Sequence, residues 1–106
     1  MRTAFNPMGV IDMGKFAIDF SKAINFSNNV EITMPFDGWV IAVGNGTSNY
    51  GKIQFWINGQ ICWYWYNSSS NCAPSMIYPI SKGDKFKFLA DSGNLSFQKL
   101  IYAPCK

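Results

Sequence analysis

Apolar and polar residues alternate along much of the chain, which is the pattern of half-buried β-strands. In residues 30–34 every second residue is apolar, and in residues 85–90 phenylalanines alternate with lysines. Successive side chains of a strand point to opposite faces, so each of these segments is expected to present one apolar face to a core. Residues 39–43 are almost entirely apolar, which predicts a central strand buried on both faces.

Residues 52–66 carry a strong hairpin signal, because two runs of β-forming residues flank Asn58 and Gly59. Asn-Gly suits a two-residue type I′ turn, in which both positions need a positive φ. A loop of two residues also fixes which residues face each other. The expected partners are Ile57 with Gln60, Trp56 with Ile61, Phe55 with Cys62, Gln54 with Trp63 and Ile53 with Tyr64.

This register predicts a hairpin with two distinct faces. One face carries Ile53, Phe55, Ile57, Cys62, Tyr64 and Tyr66, and the other carries Lys52, Gln54, Trp56, Ile61, Trp63 and Trp65. A small domain has one core, and we expect the first face to pack on it. The second face, centred on Gln54, Trp56, Trp63 and Trp65, has three interpretations: sandwich core, a contact between subunits around a threefold axis, or a platform for stacking sugar rings.

Turn residues and changes of phase mark the other strands. Residues 75–80 contain Pro79, which cannot donate a ladder hydrogen bond, so we expect this strand at a sheet edge. The apolar pattern of residues 95–102 changes phase near residues 98–100, which predicts a β-bulge. Several short strands separated by such turns predict an all-β fold, an antiparallel β-sandwich of jelly-roll-like type.

The chain length of 106 residues fits a single domain. We assign residues 29–106 to the sandwich and residues 1–28 to an extended N-terminal segment, where helical and strand spacing compete.

Composition disfavours several classes of function. The chain has no histidine, the commonest general base and metal ligand, and its six carboxylates are dispersed, so we expect no catalytic residues, metal or cofactor, and no enzyme. The net charge of +3 is scattered, which gives no support to nucleic-acid binding. Charged residues make up only 14% of the chain and aromatic residues 17%, so we expect partner subunits to cover some apolar surface.

The three cysteines have no metal-site spacing. We expect free thiols in a reducing cytoplasm, and a Cys62–Cys72 disulfide if the protein reaches an oxidising compartment. No apolar run reaches the roughly 18 residues of a membrane span, and the N-terminus lacks the pattern of a signal peptide, so we expect no membrane insertion.

Four short motifs follow one another in the order ITMPFDGWV, WINGQI, YPISKGDKFKF and LSFQKLIYAPCK. This order, within residues 30–106, resembles the C-terminal tip domains of phage and prophage tail fibres and receptor-binding proteins, and also the C1q/TNF-like jelly roll. Gly38, Gly59 and Gly83 match as positions of special backbone geometry. The resemblance implies a homotrimeric head at the tip of a virion tail fibre, made in the bacterial cytoplasm, that contacts a bacterial surface receptor without catalysis.

Two polar loops are the preferred candidates for ligand recognition, because sandwich loops often carry binding residues. They flank the predicted hairpin, so we expect them to emerge at the same end of the domain. Their candidate ligand-binding residues are Asn49, Tyr50, Asn67, Ser68, Ser69, Ser70 and Asn71.

The sequence therefore predicts a non-enzymatic binding domain. The first hypothesis is a homotrimeric receptor-binding tip that recognises a bacterial cell-surface glycan or protein. The alternatives are a monomeric, lectin-like carbohydrate-binding module and a structural or decoration domain of a virion without a receptor.

Overall fold

Two antiparallel β-sheets pack face to face to form the protein. The structure, a computed structural model, describes residues 16–44, 51–67, 75–91 and 97–106. Its strands are β1 (Ile24–Asn25), β2 (Glu31–Thr33), β3 (Gly38–Gly44), β4 (Gly51–Ile57), β5 (Gln60–Asn67), β6 (Ser75–Ile80), β7 (Lys85–Asp91) and β8 (Phe97–Pro104). The predicted fold class, an antiparallel β-sandwich in a single domain, is confirmed.

The strand order is that of a jelly roll. The first sheet has the order β1-β8-β3-β6 and the second sheet the order β2-β7-β4-β5. In every one of the pairs β1–β8, β2–β7, β3–β6 and β4–β5 the strands are antiparallel neighbours. The chain therefore doubles back once between β4 and β5, and the long double ribbon rolls up into two sheets.

Phenylalanine rings dominate the core between the sheets. Phe55, Phe86 and Phe88 of the second sheet are fully buried and meet Val40 and Ala42 of the first. The ring centroid of Phe55 lies 6.0 Å from that of Phe86 and 6.4 Å from that of Phe88. Burying a phenylalanine side chain contributes roughly 1.5–3 kcal/mol. Because β7 alternates, placing its phenylalanines in the core turns its lysines to the opposite face of the sheet.

Three predictions about individual strands are confirmed. The apolar strand β3 lies between β8 and β6, and its residues are buried or half-buried. Strand β6, which contains Pro79, is at the edge of the first sheet. Strand β8 has a bulge, because Val43 pairs with Lys99 whereas Gly44 pairs with Phe97. The extra residue, Gln98, accounts for the change of phase visible in the sequence.

The predicted register of the β4–β5 hairpin is wrong beyond its first two residue pairs. Trp56 faces Ile61 as expected, but Phe55 faces Trp63 instead of Cys62, and Gln54 faces Tyr64 instead of Trp63. Cys62 is the additional residue of a β-bulge, which exchanges the two faces of β5 after this point.

The exchange of faces sorts the aromatic residues of β5 by their chemistry. Trp63 and Trp65 are half-buried against the core, whereas Tyr64 and Tyr66 are 53% and 63% exposed. This arrangement packs the large indole rings on the apolar interior and leaves the tyrosine hydroxyls in water, where they need no protein partner. The expectation that Tyr64 faces the core with Ile53 is therefore wrong.

The turn of the hairpin has the predicted backbone conformation and is held by the neighbouring turn. Asn58 and Gly59 have φ values of 50° and 80°, as a type I′ turn requires. The Asn58 side chain accepts a hydrogen bond from the backbone N–H of Lys85 (2.9 Å) and donates one to the carboxylate of Asp84 (3.1 Å). Asn58 therefore joins the β4–β5 turn to the start of β7.

Residues 16–25 extend the first sheet beyond β8. Ile18 forms a bridge with Cys105, and β1 pairs with β8 through Ile24 and Tyr102. A 3-10 turn at Phe20–Lys22 separates the two contacts. Pairing with the sandwich thus begins inside the predicted N-terminal segment, and the boundary at residue 29 stays a prediction.

Candidate functional site

The solvent-side surface of the second sheet combines aromatic, basic and amide side chains. Alternation along its strands turns a defined set of residues away from the core. We call this set the outer face; it consists of Glu31, Thr33, Lys52, Gln54, Trp56, Ile61, Tyr64, Tyr66, Lys85, Lys87 and Leu89.

Strand pairing places these side chains in rows across the sheet. One row runs through Glu31, Lys87, Trp56 and Ile61, and the next runs through Leu89, Gln54 and Tyr64. Side chains directly opposite each other are about 4.5–5.5 Å apart at Cβ, so the members of a row are in contact range. The rows bring together residues from four strands that are distant in the sequence.

Trp56 and Gln54 form the centre of the outer face. The indole Nε1–H of Trp56 donates a hydrogen bond to Oε1 of Gln54 at 3.2 Å. Both side chains are half-buried, which restricts their movement. The hydrogen bond fixes the indole ring and leaves the amide NH₂ of Gln54 as the donor end of that side chain.

Two adjoining grooves cross the outer face. The larger, of about 260 Å³, is lined by Asn29, Lys52, Gln54, Leu89 and Ala90. The smaller, of about 210 Å³, is lined by Glu31, Trp56, Gly59, Lys85, Lys87 and Leu89. Both are below the roughly 300–1,000 Å³ of pockets that enclose small ligands. Leu89 forms a wall of both grooves. Their shape fits a ligand that lies along the sheet.

The structure divides the predicted aromatic site between two surfaces. Gln54 and Trp56 lie on the outer face, while Trp63 and Trp65 pack against the core. Whether any of the four binds a ligand or a subunit stays a prediction. Sequence reasoning did not propose the remaining aromatic residues of the outer face, Tyr64 and Tyr66, because their position depends on the bulge.

The predicted loop residues fall almost entirely outside the described part of the chain. These are Asn49, Tyr50, Ser68, Ser69, Ser70 and Asn71. Asn67 ends β5, and its backbone pairs with Gly51 at the start of β4. The two loops therefore leave the hairpin side by side, as predicted. Lys52 in turn pairs with Asp91, so the loop after β7 begins at the same end.

The thiol of Cys62 has two polar partners at the bulge. Although the residue as a whole is exposed, its thiol donates a hydrogen bond to the backbone carbonyl of Phe55 at 3.3 Å. Burial raises the pKa of the Cys62 thiol, and a hydrogen bond with Tyr78 offsets part of this effect. A raised pKa reduces the thiolate fraction at neutral pH, so this thiol is weakly nucleophilic. Its predicted partner in a disulfide, Cys72, is outside the described residues.

Two of the carboxylates stabilise turns. Asp37 accepts a hydrogen bond from the backbone N–H of Lys82 at 2.8 Å, and Asp84 accepts one from Asn58. Within residues 16–44, 51–67, 75–91 and 97–106, no three metal-ligating side chains lie close enough to hold an ion. The chemistry that the described outer face offers is therefore stacking on rings, hydrogen bonding and attraction by lysines.

None of the helical residues that the structure describes forms a helix long and apolar enough to cross a membrane. Comparisons with protein-family models, with curated proteins and with solved structures gave no match. The resemblance to tail-fibre tips consequently stays an expectation.

Proposed function

We propose that this chain is a non-enzymatic glycan-binding domain and that the outer face of the second sheet is its binding surface. One observation carries the proposal: exposed or half-exposed aromatic rings lie next to hydrogen-bonding side chains on one face of a single sheet. Tyr64 is 53% exposed beside Gln54, which in turn holds the indole of Trp56.

Carbohydrates need both elements of this surface. A sugar ring has an apolar side that packs on a flat aromatic ring, while its hydroxyls need donors and acceptors at the edge. Trp56 and Tyr64 are diagonal neighbours across the β4–β5 pair, which places them about 7–8 Å apart. The amide of Gln54 lies between them, so one oligosaccharide can stack on both rings and hydrogen-bond in between.

The proposed biological setting is receptor recognition at the tip of a phage-type tail fibre. The motif order resembles that of such tips, and a glycan-binding face suits a domain that attaches to a bacterial surface. In this setting the domain is a homotrimer, and the receptor is a cell-surface glycan.

The subunit contact proposed for this trimer is the outer surface of the first sheet. There Ile77 is 59% exposed on the edge strand β6, directly across from Ile41, which is 4% exposed on β3. Pro79 lies next to Ile77 along the same strand and faces Trp39. Exposed apolar side chains that extend a buried apolar row are typical of surfaces that associate. This contact leaves the glycan face open to the receptor.

A glycan array tests the binding function. The wild-type protein is expected to bind a subset of bacterial surface glycans, and Trp56→Ala is expected to abolish that binding while the protein stays folded. Phe20→Ala is the matched control, because Phe20 is 56% exposed but lies beside Lys99 on the first sheet. The proposal would be refuted if the wild-type protein bound no glycan, or if the Trp56→Ala variant bound glycans as well as the wild type.

Oligomeric state separates the fibre tip from the alternative, a monomeric carbohydrate-binding module. Light scattering coupled to gel filtration is expected to give the mass of a trimer, and Ile77→Lys is expected to shift it to that of a monomer. A monomeric wild-type protein that still binds glycans would favour the module.

A further inference from the structure

We infer that the glycan bound by the outer face is acidic, with a sugar carboxylate held between Lys85 and Lys87 while the sugar ring stacks on Trp56. The inference rests on the proposed function and specifies the class of its ligand. It follows from where the lysines lie, which strand carries them and which charges oppose them.

The two lysines and the indole ring share the smaller groove. Lys85 and Lys87 are on the same side of β7, and both line this groove together with Trp56. Alternate residues of a strand are about 6.4–6.8 Å apart, so two flexible ammonium groups can approach one carboxylate from both sides. Lys87 is directly opposite Trp56. A carboxylate held by the lysines would therefore lie at the edge of a sugar ring that stacks on the indole. An acidic sugar carries its carboxylate in this position.

The lysines are not explained by protection of a sheet edge. Lysines on edge strands often serve only to prevent association with other strands. Strand β7, however, lies between β2 and β4 in the interior of the sheet. Lys87 is also half-buried there. A half-buried cation in the middle of a sheet face is favoured by an anion beside it, and Glu31 supplies one carboxylate for the two lysines of the groove.

The charges around the groove favour an anionic ligand. Two lysines of the smaller groove, Lys85 and Lys87, are opposed by Glu31, the one carboxylate among its described lining residues. Ammonium groups form stronger hydrogen bonds with carboxylates than with neutral hydroxyls, because both partners are charged.

Glu31 sets the strength of this preference. It faces Lys87 directly across the β2–β7 pair, so it attracts the ammonium group and repels an incoming carboxylate. Removing its charge should strengthen the binding of an acidic sugar and leave that of a neutral sugar unchanged. Simple stacking on Trp56 predicts no effect of Glu31 on either ligand.

The test compares trigalacturonate with its methyl ester, which has the same rings without the charge. Isothermal titration calorimetry on the full chain is expected to show about five- to tenfold tighter binding of the acid at low ionic strength, and a smaller difference at high salt. Lys87→Gln should lower the affinity for the acid by up to about fivefold, and Glu31→Gln should raise it by a similar factor. Lys99→Gln, on the other sheet, makes the same charge change as Lys87→Gln and should have no effect.

The outcomes separate this inference from the proposed function. Equal binding of acid and ester, both lost in the Trp56→Ala variant, would overturn the acidic ligand and retain glycan binding. The same conclusion would follow if the protein bound neutral glycans on the array but neither of these two compounds. A protein that binds no glycan at all would refute both.

Discussion

Deleting Cys62 should leave the fold and both faces of β5 unchanged. In the structure Cys62 is the additional residue of the bulge, since Trp56 faces Ile61 and Phe55 already faces Trp63. Without Cys62 these two pairs become consecutive rungs of a regular antiparallel ladder. Every residue that follows keeps its partner and its face.

The expected change in the free energy of unfolding is small. The deletion removes the thiol hydrogen bond to Phe55, in which sulfur is a weak donor, and the contact with Tyr78. A typical hydrogen bond contributes about 0.5–1.5 kcal/mol, and the regular ladder offsets part of this loss. We therefore expect a destabilisation below about 1.5 kcal/mol.

Deletion of Tyr64 is the matched control. It leaves Trp63 in place but turns Trp65 outward and Tyr66 towards the core. Because removal of a core tryptophan costs about 3–5 kcal/mol, the loss of this half-buried one should cost about 2–3 kcal/mol.

Urea unfolding followed by tryptophan fluorescence measures both deletions, with the slope m as a check on two-state behaviour. The register without a bulge predicts a different result. It places Tyr64 and Tyr66 inside, so that deleting Cys62 would exchange them for tryptophans, cost several kcal/mol and shift the emission to shorter wavelength. That outcome would refute the assigned register.

Three further predictions concern a close backbone contact, a turn and one carboxylate. Gly38→Ala should destabilise the fold by about 3 kcal/mol or more in urea unfolding, because the added Cβ would collide with the backbone carbonyl of Ala103. Asn58→Gly should lower the free energy of unfolding by about 1–2 kcal/mol, because it removes the side-chain hydrogen bonds of Asn58 to the neighbouring turn. Asn58→Ala should lower it by about 1 kcal/mol more, because alanine is strained at φ 50°. The hydroxyl of Ser21 lowers the pKa of Asp19 below the ordinary 3.8, so an NMR titration should find this pKa raised in Ser21→Ala. A pKa that is lowered in the folded state stabilises the fold above the ordinary value, and this contribution is lost as pH falls through the lowered value. Any difference in stability between the two proteins should therefore be present above about pH 4 and disappear at lower pH.

The two bulges show what the sequence can and cannot predict. In β8, polar Gln98 and Lys99 interrupt the apolar alternation, so the change of phase is visible. Residues 61–66, by contrast, are apolar or aromatic at every position, so their alternation carries no information about which side faces the core. The bulge at Cys62 is decided by tertiary packing, which favours indoles over tyrosine hydroxyls in the interior.

The candidate site depends on contacts between distant parts of the chain. The sequence placed Gln54 and Trp56 on one face because a hairpin fixes such local relations. It did not place Lys87 between Glu31 and Trp56, since β2, β7 and β4 become neighbours only through the jelly-roll strand order. Alternation predicted that the lysines of β7 point away from the core, but not which side chains they meet there.

The most direct test of the account is an NMR titration that follows the four indole N–H signals. The protein is titrated with the tightest-binding oligosaccharide from the array. Binding on the outer face predicts that the Trp56 signal shifts strongly, because its Nε1–H is bonded to Gln54 at the centre of that face. The signals of Trp63 and Trp65, on the core side, should change little. A titration that leaves Trp56 unmoved, or that shifts Trp39 on the first sheet instead, would contradict the proposed binding face.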